Sequence, residues 1–482
     1  MRDFRSVFYI VGLLLCIESL TMLIPMIVDL LYNNDDWQIF FFSSLTTFLI
    51  GSIFYFSFKQ QKKLIRVREA FFLTIISWIL ISVFASLPFV FSSSNLSYSD
   101  AFFESISGIT TTGSTVITNL NELPKGILIW RSLLQWFGGI GIIVLALAIL
   151  PTLQIGGMQL LHMEHDDPYE KTLPKINQYV LFILIIYIFL SFVCAFFYFF
   201  NGMSGFDAIA HSMTTISTGG FSTYNNSIAN FNSINIEITS ICFMILGSLP
   251  FVIYLKFIRG DLKSLFNDDQ IKLFIALLIS IVLITTLWLN INFEKNILHS
   301  LRIATFNITS ILTGTGYTTS NYNLWGSFGL IIMIIIMFIG GCAGSTTGGI
   351  KIFRLLLMFR GAKTQIKKLI HPHGVFVTSF NDKSVSEEAY YSIMGFFFIY
   401  ILVFIISSIL LSFFNLDFLT ALSAAASAIS NVGPGLGNSI GPDNNYSSLS
   451  NECKWILSIT MLIGRLELFA FLVILSGSFW KK

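Results

Sequence analysis

Thr111-Thr112-Gly113-Ser114-Thr115 is a short glycine-centred string between two apolar stretches, and the arrangement recurs three more times. The other copies read Thr218-Gly219-Gly220-Phe221-Ser222, Gly314-Thr315-Gly316-Tyr317-Thr318 and Asn431-Val432-Gly433-Pro434-Gly435. Their central glycines recur at a period of roughly a hundred residues, and a fixed internal period decides architecture before anything else. One irregular segment in a greasy chain is a kink. Four at similar spacing imply four loops meeting on one axis, with backbone carbonyls facing whatever passes along it.

The rest of the chain is built for a lipid solvent. Of 482 residues 54% are hydrophobic and 11% are charged, with a mean hydropathy of +0.77; soluble domains carry about 25% charged residues. A net charge of +2 implies no nucleic-acid partner. The five cysteines have no paired spacing, and four lie inside apolar runs, as small packing residues do. The run from 6 to 31 is too long for a cleaved signal and reads as a spanning helix.

Ten spans are expected, over 6–31, 37–58, 70–91, 131–150, 179–201, 234–258, 271–292, 323–357, 389–414 and 453–478. After the first two they fall into four pairs, each enclosing a shorter apolar piece: 99–110, 205–217, 297–313 and 417–430. Those pieces are too short to cross, so they should enter and return. Non-helical backbone at membrane depth survives only where protein buries it or water reaches it. The expected fold is an all-α polytopic membrane protein. Four pseudo-symmetric span–loop–span repeats (69–178, 179–270, 271–388, 389–482) surround one pore, and a two-helix extension (1–68) precedes them.

Lys59, Lys62, Lys63, Arg66, Arg68, Lys171, Lys175, Lys256, Arg259, Lys263, Arg354, Arg360, Lys363, Lys367 and Lys368 fall on one set of loops, with Arg2, Arg5, Lys481 and Lys482 at the termini. The opposite loops hold little beyond Lys125, Lys295 and Arg302. The excess of positive charge puts both termini and loop 359–388 in the cytoplasm and all four strings on the outer side.

The strings suit a monovalent cation. Backbone carbonyls can replace its water without adding charge, and glycine adopts cheaply the conformations that turn successive carbonyls inward. The candidate ion-binding residues are Thr111, Thr112, Gly113, Ser114, Thr218, Gly219, Gly220, Phe221, Gly314, Thr315, Gly316, Tyr317, Asn431, Val432, Gly433 and Pro434. The C-terminal end of each short helix would aim a partial negative charge at the pore. Asp100 and Asp207 stand near two of the helix starts, Asp417 near the fourth and Asn296 near the third, as pore elements or as ordinary caps.

Gly340, Gly341, Gly344, Ser345, Thr346, Thr347, Gly348 and Gly349 interrupt a long apolar stretch. Each glycine costs a helix ~1 kcal/mol relative to alanine. The run is either a close helix–helix contact or an unwound loop that blocks flow under the strings. Arg465 lies deep in the last span, where a charge faces protein or a water-filled cavity. It is either paired with another helix or projected to the axis, repelling cations and tying down 340–349 by hydrogen bonds. Glu467 points to another helix face, and Lys351 is expected to snorkel to the cytosolic interface. The His162–Asp167 cluster reads as a polar turn rather than a metal site, and His371 and His373 as partner contact or plain surface. No phosphate-binding or nucleotide motif is present, and no buried acid–histidine chain is expected along the pore.

Three further stretches carry a resemblance. Arg131-Ser-Leu-Leu-Gln-Trp136-Phe-Gly138-Gly139-Ile-Gly141, the run from Gly340 to Lys351, and Gly464-Arg465-Leu466-Glu467 resemble the first-, third- and fourth-repeat inner segments of Trk potassium uptake membrane subunits (TrkH-like), in the Trk/Ktr/HKT superfamily. The resemblance covers nearly the whole chain, and the two extra N-terminal spans favour the Trk branch. It implies potassium as the permeant ion with no organic cofactor, a multi-pass place in the inner membrane, a homodimer, and a TrkA-like cytosolic nucleotide-binding partner docking on the basic inner loops. It favours the unwound reading of 340–349, with Lys351 and Arg465 in the gate. Gly113 stands where sodium-favouring plant relatives tend to have serine. The first three strings lack the second glycine of potassium-channel filters, and the fourth keeps it with Pro434 between, which implies looser discrimination against sodium. Channel-like conduction is the first reading, and potassium coupled to a proton or sodium the second. An organic-solute transporter is disfavoured because its broken repeats would be inverted, and a lipid enzyme because clustered acids or histidines are absent.

Overall fold

The computed structural model describes residues 4–59, 66–144, 176–261, 263–293, 296–381, 383–466 and 468–480. Lys62, Lys63, Lys171, Lys175, the His162–Asp167 cluster, Lys295, Glu467, Arg2, Lys481 and Lys482 lie outside the described residues.

Seven described helices are long and apolar enough to cross a bilayer, and two further helix pairs pass the same test only when joined across bends of 92° and 113°. The first bend follows from Pro250, which has no N–H to continue Ile234–Ser248 into Phe251–Ile258. The second separates Asn451–Arg465 from Phe469–Leu475. The expected straight spans 234–258 and 453–478 are therefore each two segments. The expected span 323–357 is likewise broken: helix Gly326–Phe338 ends, 339–351 is not helical, and a new helix, Ile352–Ile370, begins. That helix and a hairpin pairing Ser379–Phe380 with Lys383–Ser384 occupy much of what reads from sequence as loop 359–388.

Four short helices, Tyr98–Ile109, Gly205–Ile216, Ile297–Leu312 and Phe418–Ser430, run into the four strings. Each starts at a side-chain cap. Ser97, Ser204, Asn296 and Asp417 accept from the backbone N–H of Asp100, Asp207, Leu298 and Thr420, satisfying an amide that the first turn leaves unpaired. Asp417 is thus the cap itself, equivalent to Ser97 and Ser204 rather than to Asp100 and Asp207.

Their packing closes a circle. Helix Lys125–Val144 touches Tyr98–Ile109 and Gly205–Ile216, and Ile234–Ser248 touches Gly205–Ile216 and Ile297–Leu312. Gly326–Phe338 touches Ile297–Leu312 and Phe418–Ser430, and Asn451–Arg465 touches Phe418–Ser430 and Tyr98–Ile109 again. Each inner helix therefore wedges between its own short helix and the next.

The N-terminal helices, Arg5–Thr21 with Leu23–Leu31 and Trp37–Ser57, stand outside this circle. They meet at Gly12 and Gly51, where a Cβ on either would strike the other helix's backbone. Asp29 anchors them by accepting from the Gly126 N–H (2.6 Å) in the first turn of Lys125–Val144.

Candidate functional site

Each string leaves its helix through the same alternation of backbone handedness. The first position is left-handed (Thr111 φ 52°, Thr218 φ 51°, Gly314 φ 69°, Asn431 φ 55°), and so is the third (Gly113 φ 86°, Gly220 φ 76°, Gly316 φ 81°, Gly433 φ 107°). The sequence pointed to the central glycines alone. Left-handed Thr111 and Thr218 carry strain that only a rigid surround sustains.

The surround holds the N–H groups. Thr112 and Gly113 donate to Ser107 O, Gly219 and Gly220 to Thr214 O, and Thr315 and Gly316 to Ser310 O. In the fourth string Val432 donates to Ser427 O and Gly433 to Ser427 Oγ. Across a trans peptide the carbonyl points opposite to the following N–H. The carbonyls of Thr111, Thr112, Thr218, Gly219, Gly314, Thr315, Asn431 and Val432 are therefore turned away from their own helices.

The strings themselves close a second circle. A Cβ on Gly113 would strike the carbonyl of Gly219, one on Gly220 that of Thr315, one on Gly316 that of Val432, and one on Gly433 that of Thr112. The four central glycines also line one cavity of about 80 Å³, with Ser114, Phe221 and Pro434 at its wall. Tyr317 turns outward instead: its hydroxyl bonds Thr214 Oγ1 and its carbonyl accepts from Ser310 Oγ.

The side chains that brace the strings carry no filter signature. Arg131 Nε pairs with Glu104 at 2.8 Å with both side chains buried, its Nη1 donates to Ser222 O at 2.8 Å, and its guanidinium lies 4.0 Å from the Phe221 ring centroid. Glu104 also accepts from Thr115 Oγ1 and the Val116 N–H. Asn431 donates to Thr112 Oγ1, and both Ser114 and Tyr446 donate to Gly433 O. Lys454 reaches Asp100 at 2.6 Å, so Asp100 ties two repeats together as well as standing in a first turn. An acid and an arginine inside apolar segments were the signal that could have found the Glu104–Arg131 pair.

Residues 340–349 lie against the opposite end of the strings from that cavity. Thr346 Oγ1 donates to Ile216 O (3.1 Å) and Gly247 O (3.0 Å) and meets Thr218 Oγ1 at 3.1 Å. A Cβ on Gly348 would strike Ser430 O, and Gly348 N is 3.7 Å from where a Cβ on Gly314 would stand. Five of the loop's amides are satisfied by protein: Gly340 by Ile350 O, Gly341 by Thr347 Oγ1, Cys342 by Ser248 O, Ala343 by Gln270 Oε1 and Thr346 by Gly247 O. The run 339–351 is not helical.

Three expectations need correction. Lys351 does not snorkel. It is buried, with Nζ donating to Thr347 O at 2.6 Å, because the turn out of the loop aims it at a carbonyl needing a donor. Arg354 is not a solvated loop charge; it is buried, with its guanidinium 3.8 Å from the Phe396 ring centroid, because Ile352–Ile370 starts inside the protein. Arg465 is buried and lies in the field of Tyr187, but its Nε, Nη1 and Nη2 make no hydrogen bond with 340–349 or with any other described residue. Near the second string, buried His211 bonds the backbone carbonyl of Asp207 (2.9 Å) and Ser222 Oγ (3.0 Å), while the Asp207 carboxylate accepts from Thr223 and Tyr224 instead.

The family model described as "TrkH: Cation transport protein" matches residues 37–482. The chain is 37% identical to the Trk system potassium uptake protein TrkI of Halomonas elongata, over 100% of this chain and 98% of that one. It is 38% identical to the Trk system potassium uptake protein TrkH of Salmonella typhimurium, over 99% and 100%. The crystal structure of the potassium transporter TrkH from Vibrio parahaemolyticus superposes with a TM-score of 0.92 at 36% identity, covering 100% of both chains. Sequence, helix order and ring geometry agree that the chain belongs to the TrkH family of cation transport proteins.

Proposed function

We propose that this multi-pass membrane protein, a transporter and not an enzyme, carries potassium into the cell through the ring of strings. The observation that carries the reading is the repeated pair of tethered N–H groups. It turns the carbonyls of Thr111, Thr112, Thr218, Gly219, Gly314, Thr315, Asn431 and Val432 off their helices within a closed ring. Several neutral oxygens at once are what a dehydrated monovalent cation needs. The relatives' names, potassium uptake proteins of Trk systems, agree.

Residues 340–349 act as the gate. Their backbone is closed on itself and on the neighbouring helices just inside the strings, so the path is blocked until the loop moves. Lys351 latches the loop through Thr347, and Arg465 supplies positive charge that opposes cation passage. An inside-negative potential of 100 mV favours entry by ~2.3 kcal/mol per charge, so uptake needs no chemistry in this chain. The repeat boundaries of the sequence reading, cytoplasmic termini, a homodimer and a TrkA-like nucleotide-binding partner on the basic inner surface belong to the same proposal. Coupling to a proton or sodium is the second reading.

The test is purified full-length protein in liposomes. An imposed inside-negative potential should drive radioactive rubidium inward, competed by potassium. Absence of influx rejects the proposal, and influx that follows an imposed pH gradient at zero potential selects the coupled reading.

A further inference from the structure

The eight turned carbonyls are not equivalent. The Gly219 carbonyl accepts a hydrogen bond from a side-chain amide: Gln135 Nε2 donates to it at 2.6 Å. The same amide accepts from the Phe221 N–H through Oε1 at 3.0 Å, so it spans Gly220. Gln135 is fully buried. It sits at the joint between the first and second strings, with Nε2 3.7 Å from where a Cβ on Gly113 would stand. A Cβ on Gly219 would stand 2.4 Å from the Gln135 amide carbon, so a larger residue there would displace that amide. One turn earlier on the same helix, Arg131 holds Ser222 O. The first repeat's inner helix thus carries the second repeat's string.

We propose that Gln135 is a specificity-determining positioning residue for ion passage. This rests on the reading of the strings as the ion path. An amide donor on a carbonyl oxygen does two things. It fixes the oxygen's position, and it takes up one lone pair, so a cation in the ring feels a weaker field from that ligand. A weaker field favours the larger, less tightly hydrated ion over sodium, since ligand number and field strength set discrimination. This donor reaches the second string from the first repeat's inner helix. At the second–third joint the Tyr317 hydroxyl bonds Thr214, and at the fourth–first joint Asn431 bonds Thr112 Oγ1; neither bond falls on a turned carbonyl.

The experiment measures rubidium influx into liposomes and the sodium concentration that halves it, at equal protein content. Gln135→Met keeps the volume and removes both bonds. Gln135→Leu removes both bonds with a second apolar side chain of similar volume. Both should lower the half-inhibiting sodium concentration by about tenfold, the weight of one hydrogen bond to a polarised group. A purely structural role would change the maximal rate or the amount of folded protein and leave this ratio alone. Wild-type competition in either folded variant overturns the proposal. Gly220→Ala is run alongside. If it abolishes influx and the Gln135 variants leave the ratio alone, only the role of Gln135 fails; if it leaves influx at the wild-type value, the strings are not the ion path.

Discussion

Two glycine-rich segments lie within a few ångströms of each other and do opposite things. In the strings, N–H groups are spent on the short helices and the carbonyls are left turned away. In 340–349, the amides of Gly340, Gly341, Cys342, Ala343 and Thr346 and the hydroxyls of Ser345, Thr346 and Thr347 are matched to protein partners. A backbone whose oxygens await a ligand can host an ion. A loop bonded to the helices around it stays in place until those bonds break. Glycine content alone does not separate the two; the partner of each peptide group does.

The contrast breaks most sharply at Gly220. Gly220→Ala puts a Cβ into the Thr315 carbonyl at a φ of 76°. Strain and overpacking together cost about 4 kcal/mol, so rubidium influx should fall by about a thousandfold in liposomes. Wild-type influx would show that the strings line no path.

Next is the brace behind them. Arg131→Met leaves Glu104 as a buried, uncompensated carboxylate. The expected loss is about 3 kcal/mol of stability, read as a lower midpoint of thermal unfolding in detergent. An unchanged midpoint would mean that other contacts hold the first two strings in register.

On the loop side the expected effects have the opposite sign. Arg465→Ala should raise influx by about tenfold, or ~1.4 kcal/mol off the barrier, at equal surface expression. The effect comes from removing a charge, since the guanidinium holds no hydrogen bond among the described residues. Thr346→Val keeps the side-chain volume but loses the donor to Ile216 O and Gly247 O. It should raise influx by about fivefold, or ~1 kcal/mol. If both variants match wild type, 340–349 is a permanent liner and the gate lies elsewhere.

Much of this was legible in the chain. Hydropathy places spans because a bilayer demands apolar length, and the short helices Tyr98–Ile109, Gly205–Ile216, Ile297–Leu312 and Phe418–Ser430 fall within a few residues of where the pattern puts them. Pro250 was visible, but not the 92° turn it permits. The direction of Lys351 was misread because sequence records distance from an apolar run, not which carbonyl is short of a donor. Gln135 looked like any polar residue on an inner helix, since its partners, Gly219 and Phe221, come from another repeat.

The sequence by itself determined the number of repeats, the membrane class and the four places where backbone leaves the helical path. Apolar length and glycine freedom are properties of short stretches, so they can be read one stretch at a time. Only the tertiary structure decided that the central glycines abut in a closed cycle, that the loop 340–349 is bonded through Thr346 to Ile216 and Gly247, and that one carbonyl in the ring carries an amide donor. Those facts are pairings between residues far apart in the chain, and a pairing exists only once both partners have been brought to the same point in space.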